Sequence, residues 1–375
     1  MSASALDNKT VLITGGTGSW GMELTRQLLE DHGPREIRIF SRGELKQVEM
    51  RRSVSDPRVK YIIGDVRDKD RLRLATKGVD VIFHLAALKH VPVCEENAWE
   101  TVQTNVIGIQ NIIEASIENG VERVVDVSTD KAVDPFNLYG VTKACGEKLM
   151  IAANLLSDKT RFVCIRGGNV LGTTGSVVPL FKEQIRTQNS VTITDPNMTR
   201  FIMRVEEAIH LVLHATEAAV GGEIYVMKMP AIKISDLATV MIESLGRSDT
   251  EVREIGIRPG EKLYEVLVSR YEIRRTIETD NYFIILPQIG IDHLSERYSQ
   301  EDLTSSTLEE FNSVNTQQLT NLELQLLLSL DGWLEEPRRR SSDMQLSAGA
   351  DISRESDNES LIDLVKAPID SRSAI

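Results

Sequence analysis

Residues 10–21 read Thr-Val-Leu-Ile-Thr-Gly-Gly-Thr-Gly-Ser-Trp-Gly, an apolar run that passes directly into a glycine-rich turn. Glycine is favoured at three positions for three different physical reasons. Gly15 suits a tight turn, Gly18 lets a pyrophosphate approach closely, and Gly21 lets a following helix pack on the sheet. The anion would bind at the helix N-terminus, where unpaired N–H groups and the dipole favour negative charge. The stretch therefore predicts a dinucleotide-binding strand–turn–helix unit, with a plain strand-to-helix turn as the alternative.

The first half of the chain alternates between short β-branched runs and longer helical patterns. The helical patterns carry apolar residues at intervals of three and four, so each helix has one face to lay on a sheet. We therefore expect an α/β fold: a Rossmann-type doubly wound parallel sheet with a smaller, interleaved substrate-binding lobe. The predicted strands begin at Val11, Ile37, Tyr61, Val79, Val124 and Phe162, and a helix over 205–218 and a strand over 223–227 follow.

The end of the second predicted strand indicates which dinucleotide is bound. It reads Ile39-Phe-Ser-Arg42, where an NAD site ordinarily places an acidic residue for the ribose 2′-hydroxyl. The guanidinium of Arg42, with Ser41 and Lys46, can instead grip a 2′-phosphate, so we expect NADP; a merely solvated arginine is the alternative. The other candidate cofactor contacts are Thr17, Ser19, Trp20, Asp65, Val66, Ala86, Ala87, Lys89 and Asn105.

The amino-acid composition changes along the chain, and these changes suggest where the chain divides into domains. After about Gly168 the alternation gives way to loops rich in Gly, Thr and Pro, and from about Glu335 the chain is polar and poor in aromatic residues. We expect an NADP-binding Rossmann domain over 1–168, with returning segments from about 200–228, and mainly a substrate-binding lobe over 169–335. Residues 336–375 are predicted to form a disordered tail, because such a stretch buries too little apolar surface to fold.

Charge and cysteine usage exclude several classes of protein. The 375 residues carry a formal net charge of −13, so a nucleic-acid partner is disfavoured. No apolar stretch approaches the roughly 20 residues that cross a bilayer, and the first ten residues lack a signal-like apolar core, so we expect no membrane insertion and a cytoplasmic protein. Cys94, Cys145 and Cys164 lack metal or disulfide spacing, and we expect core thiols and no metal site.

Polar residues at the end of the fifth predicted strand are the candidate catalytic group. That strand delivers Ser128-Thr-Asp-Lys131 at its carboxyl end, the side on which ligands bind in open α/β sheets. Tyr139 and Lys143 follow on a predicted helix, and their i, i+4 spacing places them on one face. We expect the charges of Lys143 and a nicotinamide to lower the phenol pKa from about 10 toward neutrality, which makes Tyr139 the acid/base group of an alcohol oxidation.

These motifs resemble those of the extended short-chain dehydrogenase/reductase superfamily, which combines a glycine-rich turn like 14–21 with a Tyr-x-x-x-Lys pair like 139–143. More narrowly, the chain resembles the inverting UDP-N-acetylglucosamine 4,6-dehydratases of polysaccharide biosynthesis over roughly residues 8–330. The segments that carry this resemblance are 40–47, 64–68, 86–92, 128–132, 194–201 and 256–262. The resemblance implies oxidation at C4 of the sugar, elimination of water across C5 and C6, and hydride return to C6 with inversion at C5.

The same resemblance assigns the proton transfers. Lys131 is expected to be the base at C5 and Asp130 the acid at C6, with Thr129 beside them. A lysine of lowered pKa next to an aspartate that shares a proton would suit both tasks, and a surface ion pair is the alternative. Tyr139 favours the inverting reaction, because retaining relatives tend to carry Met there. A UDP-sugar 4-epimerase, which would not need Asp130 and Lys131, is the first alternative function, and a non-catalytic NADP-binding sensor is the second.

The second half of the chain supplies candidates for binding a UDP-sugar. Arg200 and Arg258 offer guanidinium geometry to the diphosphate, and Glu261 could accept from ribose hydroxyls. Asn169 and Val178 resemble family positions near the sugar and uracil, and Lys89 is a further candidate substrate contact.

Two residues depart from the family pattern. Gly167 stands where the family usually has Tyr, and Thr174 stands where it usually has Arg, which allows an altered sugar preference.

Predicted helices over 97–119 and 139–156 suggest the interface of a homo-oligomer, by resemblance a hexamer.

Overall fold

The computed structural model describes residues 5–173, 175–298 and 308–335; Thr174 and the predicted tail over 336–375 lie outside the described residues. The strands are β1 (Thr10–Thr14), β2 (Glu36–Ser41), β3 (Val59–Ile63), β4 (Val81–His84), β5 (Arg123–Thr129), β6 (Arg161–Gly167), β7 (Asn169–Val170), β8 (Ser190–Ile193), β9 (Thr199–Met203), β10 (Ile224–Met227), β11 (Ala231–Lys233), β12 (Glu251–Glu254), β13 (Val266–Val268), β14 (Thr276–Glu278), β15 (Tyr282–Ile285) and β16 (Phe311–Asn312).

The helices alternate with these strands through the first half of the chain. They are α1 (Ser19–Asp31), α2 (Glu44–Ser53), α3 (Lys69–Ala75), α4 (Val91–Glu96), α5 (Ala98–Val102), α6 (Gly108–Asn119), α7 (Leu138–Ala153), α8 (Val177–Gln188), α9 (Val205–Ala218), α10 (Ile234–Leu245), α11 (Asp292–Arg297) and α12 (Asn321–Leu330). A π-helical turn covers Gln103–Ile107, and 3-10 turns cover Asp130–Ala132 and Ile273–Arg275. Within the described ranges, no helix combines the length and the apolar character that crossing a membrane requires.

The main sheet has nine strands in the order β14-β15-β10-β6-β5-β4-β1-β2-β3. The strands from β3 to β10 run parallel, and β15 pairs antiparallel with both β10 and β14. β1 is buried along its whole length, as expected where helices cover both faces of a parallel sheet. The order 3-2-1-4-5-6 is that of a doubly wound Rossmann sheet, so the predicted fold class is confirmed.

A crevice opens where the strand order reverses, between β1 and β4. Thr14 ends β1 opposite His84 at the end of β4, and Thr14 Oγ1 is 2.8 Å from His84 Nδ1. Burial lowers the pKa of His84 to about 4, so the imidazole is neutral near pH 7. Ligands of open α/β sheets bind in such a crevice.

Two apolar cores support the two sides of this crevice. The larger core lies on the main sheet. The smaller core joins α8, α10 and α12 to the short strands of the smaller lobe, and Val191, Leu237 and Leu324 are fully buried in it. Residues from both 201–229 and 267–294 contribute to the larger core.

The prediction of three core thiols is wrong for one cysteine. Cys94 and Cys164 are buried, but Cys145 is exposed. The reason is helical periodicity, because Cys145 lies four residues after Val141 on the outer face of α7, and Val141 is 47% exposed.

Candidate active site

A cleft of about 990 Å³ opens at the crevice and extends to the smaller lobe. It gathers residues from the ends of β1 to β6 and from loops of the smaller lobe. The predicted site residues that line it are Gly15, Thr17, Gly18, Ser19, Trp20, Gly21, Ser41, Arg42, Lys46, Asp65, Val66, Ala86, Ala87, Lys89, Thr129, Asp130, Lys131, Tyr139, Asn169, Arg200, Arg258 and Glu261.

The glycine-rich turn leaves no room for side chains where the backbone is closest. Gly15 has φ +68°, and a Cβ there would lie 2.9 Å from the backbone N of Ala86. A Cβ on Gly21 would lie 2.4 Å from Gly16 Cα. Gly21 therefore lets α1 pack on the turn itself, whereas the sequence had suggested that it lets α1 pack on the sheet. Gly18 is the N-cap of α1 and has no side-chain cap, so the first N–H groups of that helix are available to an anion.

The far end of the nucleotide side carries arginines around one carboxylate. Asp65 Oδ2 accepts from Arg67 at 2.7 and 2.9 Å, and Arg42 Nη1 lies 3.9 Å from the same oxygen. Burial raises the pKa of Asp65, but the arginines outweigh it and the net shift is downward. The Oγ of Ser41 accepts from Gln47. β2 ends at Ser41 and is followed by Arg42, so neither residue at this position is a carboxylate. The Arg42 side chain is 54% exposed.

The candidate catalytic group sits where β5 runs into a 3-10 turn. Thr129 Oγ1 donates to Asp130 Oδ1 at 2.8 Å, and Lys131 Nζ donates to the same oxygen at 3.0 Å. The other carboxylate oxygen, Asp130 Oδ2, is buried and has no partner within the described part of the chain. Among the described residues, this oxygen of a cleft-lining side chain is therefore an unused acceptor.

The expectation of a lowered pKa for Lys131 is wrong. Burial does lower the pKa of Lys131, but two carboxylates, Asp130 and Glu265, together raise it above its ordinary value. Lys131 Nζ is 3.0 Å from Asp130 Oδ1 and 3.6 Å from Glu265 Oε1. The two carboxylates therefore favour the ammonium form of Lys131.

Tyr139 stands at the N-terminus of α7, where Asn137 caps the helix by accepting from the Gly140 N–H at 2.8 Å. Burial raises the pKa of Tyr139, while the charges of Lys143 and Lys131 lower it, and the net shift is upward. Lys143 lowers the pKa of the phenol, as predicted, but this effect does not by itself bring that pKa toward neutral pH.

Three predicted residues lie behind the wall of the cleft. Lys143 is buried, with its Nζ 3.2 Å from Asp126 Oδ2. Asn105 is also buried and holds the backbone of Leu88 with two hydrogen bonds of 2.9 Å. Val178 packs in the smaller core because α8 turns that face inward, so its side chain is placed away from the expected contact with sugar or uracil.

The substrate candidates lie on the side of the smaller lobe. Arg200 donates to the backbone carbonyls of Thr199, Lys262 and Leu263, which leaves its Nε and one Nη2 proton for other partners. Arg258 Nη1 is 3.8 Å from Glu261 Oε1. The polar atoms Asn169 Oδ1 and Glu261 Oε2 are buried and lack partners among the residues the structure describes. These unsatisfied atoms suit a polar ligand.

The sequence interpretation missed Glu265, which lines the cleft and is 2% exposed. Its Oε1 is 3.8 Å from Arg200 Nε, and its Oε2 is buried without a partner in the described residues. Burial raises the pKa of Glu265, and Lys131 and Arg200 offset part of that shift. The signal that could have pointed to Glu265 was its position just after 256–262, one of the segments that carry the family resemblance.

A buried ion network beneath the cleft was missed as well. Arg166 forms two-pronged hydrogen bonds of 2.7 to 2.9 Å with both Glu147 and Glu272. The network joins β6 and α7 to the segment that follows β13. Within the described residues, no group of His, Cys, Asp and Glu could hold a metal ion.

The family model for polysaccharide biosynthesis proteins matches residues 11–287. The chain belongs to the polysaccharide biosynthesis protein family. It is 46% identical over 286 residues to the UDP-N-acetylglucosamine 4,6-dehydratase (inverting) of Campylobacter jejuni subsp. jejuni serotype O:2, covering 76% of this chain and 84% of that one. It is 44% identical over 336 residues to the UDP-glucose 4-epimerase of Rickettsia bellii, covering 88% and 98%.

Solved structures of dehydratases and epimerases share the architecture of this chain. Pen from Bacillus thuringiensis superposes with a TM-score of 0.80 at 36% identity, covering 87% of this chain and 99% of that one. DesIV, a dTDP-glucose 4,6-dehydratase from Streptomyces venezuelae solved with NAD and TYD bound, gives 0.63 at 25% identity, covering 68% and 86%. The predicted resemblance to short-chain dehydrogenase/reductase-type dehydratases is confirmed.

Proposed function

We propose that this protein is an NADP-dependent UDP-N-acetylglucosamine 4,6-dehydratase that inverts C5. The observation that carries the proposal is the presence of two further proton-transfer groups, Asp130 and Lys131, in the same cleft as Tyr139 and the glycine-rich turn. An epimerase needs only oxidation and reduction at C4, whereas a dehydratase also needs a base at C5 and an acid at C6. The identity to the inverting dehydratase of Campylobacter jejuni supports the same assignment.

The cleft has the features that a dinucleotide requires. The turn at Gly15 approaches the neighbouring strand end too closely for a side chain, and α1 begins without a side-chain cap. The hydroxyl oxygens of Thr104 and Ser128 line the cleft and are buried without partners in the described ranges. The first turn of α1 would hold the pyrophosphate, and Arg42 would hold a 2′-phosphate. When bound, the nicotinamide supplies a reversible acceptor for hydride.

The residues of this chain move the protons. Tyr139 takes the proton of the C4 hydroxyl, and because burial opposes the phenolate, this step depends on positive charge near the ring. The C4 ketone makes the C5 proton acidic, and Lys131 removes it. Asp130, in its protonated form, gives its proton to the C6 hydroxyl, which leaves as water. Lys131 must first lose the proton that its two carboxylate neighbours stabilise.

NADP is proposed in preference to NAD because Arg42, and no carboxylate, follows β2. The exposed part of the Arg42 guanidinium and Lys46 line the same end of the cleft. The NAD bound to DesIV makes NAD the alternative cofactor.

On the substrate side, Arg200 and Arg258 are proposed to hold the diphosphate of a UDP-sugar. Glu261 is proposed to accept from the ribose, and Asn169, whose Oδ1 lacks a partner in the described residues, to contact the sugar. Lys89 is a further candidate, because it lines the same cleft.

Division into lobes, assembly and location are proposed as well. The division is 1–168, with returning segments from about 200–228, and 169–335. A homo-oligomer, by resemblance a hexamer, is supported by exposed apolar side chains on the two predicted interface helices: Trp99 is 66% exposed on α5 and Val141 is 47% exposed on α7. The proposed location is the cytoplasm.

A second candidate is a UDP-sugar 4-epimerase, favoured by the 44% identity to the UDP-glucose 4-epimerase of Rickettsia bellii. Mass spectrometry of the product separates the two functions. Incubation with UDP-N-acetylglucosamine should give a product lighter by one water if the protein is a dehydratase. An epimerase would leave the mass unchanged, and a non-catalytic sensor would leave the substrate itself unchanged.

Isotope labelling tests the reaction sequence. With deuterium at C4 of the sugar, the proposed sequence delivers the label to the new C6 methyl group. A label that stays at C4 or is lost to water would contradict the proposed sequence.

A further inference from the structure

Glu265 is held rigidly at the junction of the catalytic group and the substrate side. Its backbone N–H donates to Ser313 Oγ at 3.0 Å, and its carbonyl accepts from the Ser313 N–H at 2.9 Å. Ser313 is itself fully buried and is 2.8 Å from Thr199 Oγ1. The carboxylate is thereby placed with Oε1 3.6 Å from Lys131 Nζ and 3.8 Å from Arg200 Nε.

Glu265 is better suited than Asp130 to receive a proton from Lys131. Asp130 Oδ1 already accepts from Thr129 and Lys131, and as the proposed acid at C6 Asp130 must itself carry a proton, so it cannot accept a second one. Glu265 Oε1 faces two cations without a hydrogen bond, and its Oε2, like Asp130 Oδ2, lacks a partner among the described residues. A carboxylate buried in this way gains more from protonation than an exposed one does.

We propose that Glu265 accepts the Nζ proton of Lys131 when substrate is bound, so that Lys131 becomes an uncharged amine able to remove the C5 proton. The N–H bond of the ammonium breaks and an O–H bond forms at Glu265, with no change in the total charge of the pair. After removal of the C5 proton, the pair carries one extra proton, which originates from the sugar. This inference rests on the proposed dehydratase function, and within it Glu265 is a positioning residue that acts through Lys131.

Arg200 couples this proton transfer to substrate binding. Its guanidinium faces Glu265 and stabilises the carboxylate in the absence of substrate. A diphosphate bound at Arg200 would offset that positive charge at Glu265. Glu265 would then become a better proton acceptor at the moment when the sugar arrives.

The pH dependence distinguishes this role from a structural one. In the wild-type protein, Lys131 and Glu265 together hold one proton throughout the working pH range. The wild-type kcat should therefore be level through neutral pH and fall only at a pH low enough to protonate Glu265 as well as Lys131. In Glu265→Gln the proton of Lys131 must leave to solvent, so kcat should rise with pH up to the pKa of Lys131. The charged or titratable groups that face the pair are Asp130, Tyr139, Arg200, Lys262 and Lys89.

The test is the pH profile of product formation by wild type, Glu265→Gln, Glu265→Asp and, as control, the exposed carboxylate variant Glu30→Gln. Glu265→Gln should lose roughly 100-fold in kcat near pH 7 and regain about tenfold per pH unit above it. Glu265→Asp keeps a titrating group, so its loss should be smaller and its profile level. Glu30→Gln should match wild type.

Retained dinucleotide binding and thermal unfolding show whether Glu265→Gln is folded; if it is not, Glu265→Asp carries the test, and a kcat that rises with pH in that variant would overturn the proton transfer. A near wild-type kcat in folded Glu265→Gln, or a loss of activity in it that does not change with pH, would overturn the proton transfer as well. A wild-type protein that leaves the product mass unchanged would overturn the proposed function, which is a different result.

Discussion

The two walls of the cleft are built in opposite ways. The nucleotide wall follows consecutive strand ends, 14–21, 40–43, 64–66 and 85–89, and its closest approaches are made by backbone and glycines. The sugar wall brings together groups far apart in sequence, and it buries charged side chains against each other, as in the contacts of Lys131 with Asp130 and Glu265. The first wall therefore depends on local backbone geometry, and the second depends on the folding of the whole smaller lobe.

The largest effect is expected on the sugar wall. Lys131→Ala removes the proposed base, and product formation should fall by about 10³- to 10⁴-fold, while dinucleotide binding is retained because the nucleotide wall is untouched. Product formation would be followed by mass spectrometry and dinucleotide binding by titration. Lys77→Ala, at an exposed lysine outside the cleft, is the control and should match wild type. Full turnover by Lys131→Ala would remove Lys131 from the mechanism.

The buried network below the sugar wall should dominate stability. In Glu272→Gln one of the two carboxylate partners of the buried Arg166 is lost while Glu147 remains, and the free energy of unfolding in urea should fall by about 1.5–3 kcal/mol, because charged hydrogen bonds in a buried site are lost. Glu251→Gln is the matched control, since Glu251 pairs with Arg253 on an exposed strand. Its loss should stay below about 1 kcal/mol. Equal losses would show that the network contributes no more than a surface pair.

Acid should weaken the same network. Burial raises the pKa of Glu272, but Arg166 and hydrogen bonds from Ser269 lower it to about 2 in the folded protein. Its stabilising contribution is therefore complete above the ordinary glutamate pKa of about 4.3 and is lost as the pH falls from there toward the folded value. Urea unfolding at several pH values should show this loss in wild type and a smaller one in Glu272→Gln. An identical pH dependence would assign the acid sensitivity to other carboxylates.

The nucleotide wall should respond to a single methyl group. In Gly15→Ala a Cβ would meet the backbone of Ala86 in a left-handed conformation, so dinucleotide affinity should fall at least roughly tenfold, with about 2–3 kcal/mol lost in stability. Gly78→Ala is the matched control, because Gly78 has φ +66° but nothing within 4 Å of an added Cβ. It should lose only about 1 kcal/mol and bind dinucleotide normally. Similar dinucleotide affinities in both variants would mean that the close approach at Ala86 does not matter.

The contrast between the walls explains what could be predicted from the sequence. The parallel strands β1 to β6 and the glycine turn follow local patterns of apolar and small residues, and both were predicted with their positions. The short strands of the smaller lobe have two to five residues and carry no readable period. Their arrangement depends on tertiary packing instead.

The electrostatics of the site could not be predicted for the same reason. The pKa of Lys131 depends on Glu265, which is distant in the chain and reaches Lys131 only through the fold of the smaller lobe. The upward shift of Tyr139 depends on burial, which no i, i+4 spacing reveals. Val178 was assigned by resemblance to the substrate side, but the inward face of α8 places its side chain in the smaller core.

The smallest effect is expected where the nucleotide wall meets solvent. Arg42→Gln removes the guanidinium proposed to grip a 2′-phosphate, and its side chain is 54% exposed, so solvent screening limits its contribution. The ratio of NADP to NAD affinity should fall by about tenfold, with NAD affinity nearly unchanged, because a charged hydrogen bond to phosphate contributes roughly 1.5–3 kcal/mol before screening. Titration with both dinucleotides measures the ratio, and Arg52→Gln, at an exposed arginine on α2, is the control. If Arg42→Gln weakens both dinucleotides equally, Arg42 contributes general positive charge and the preference for NADP must arise elsewhere on this wall.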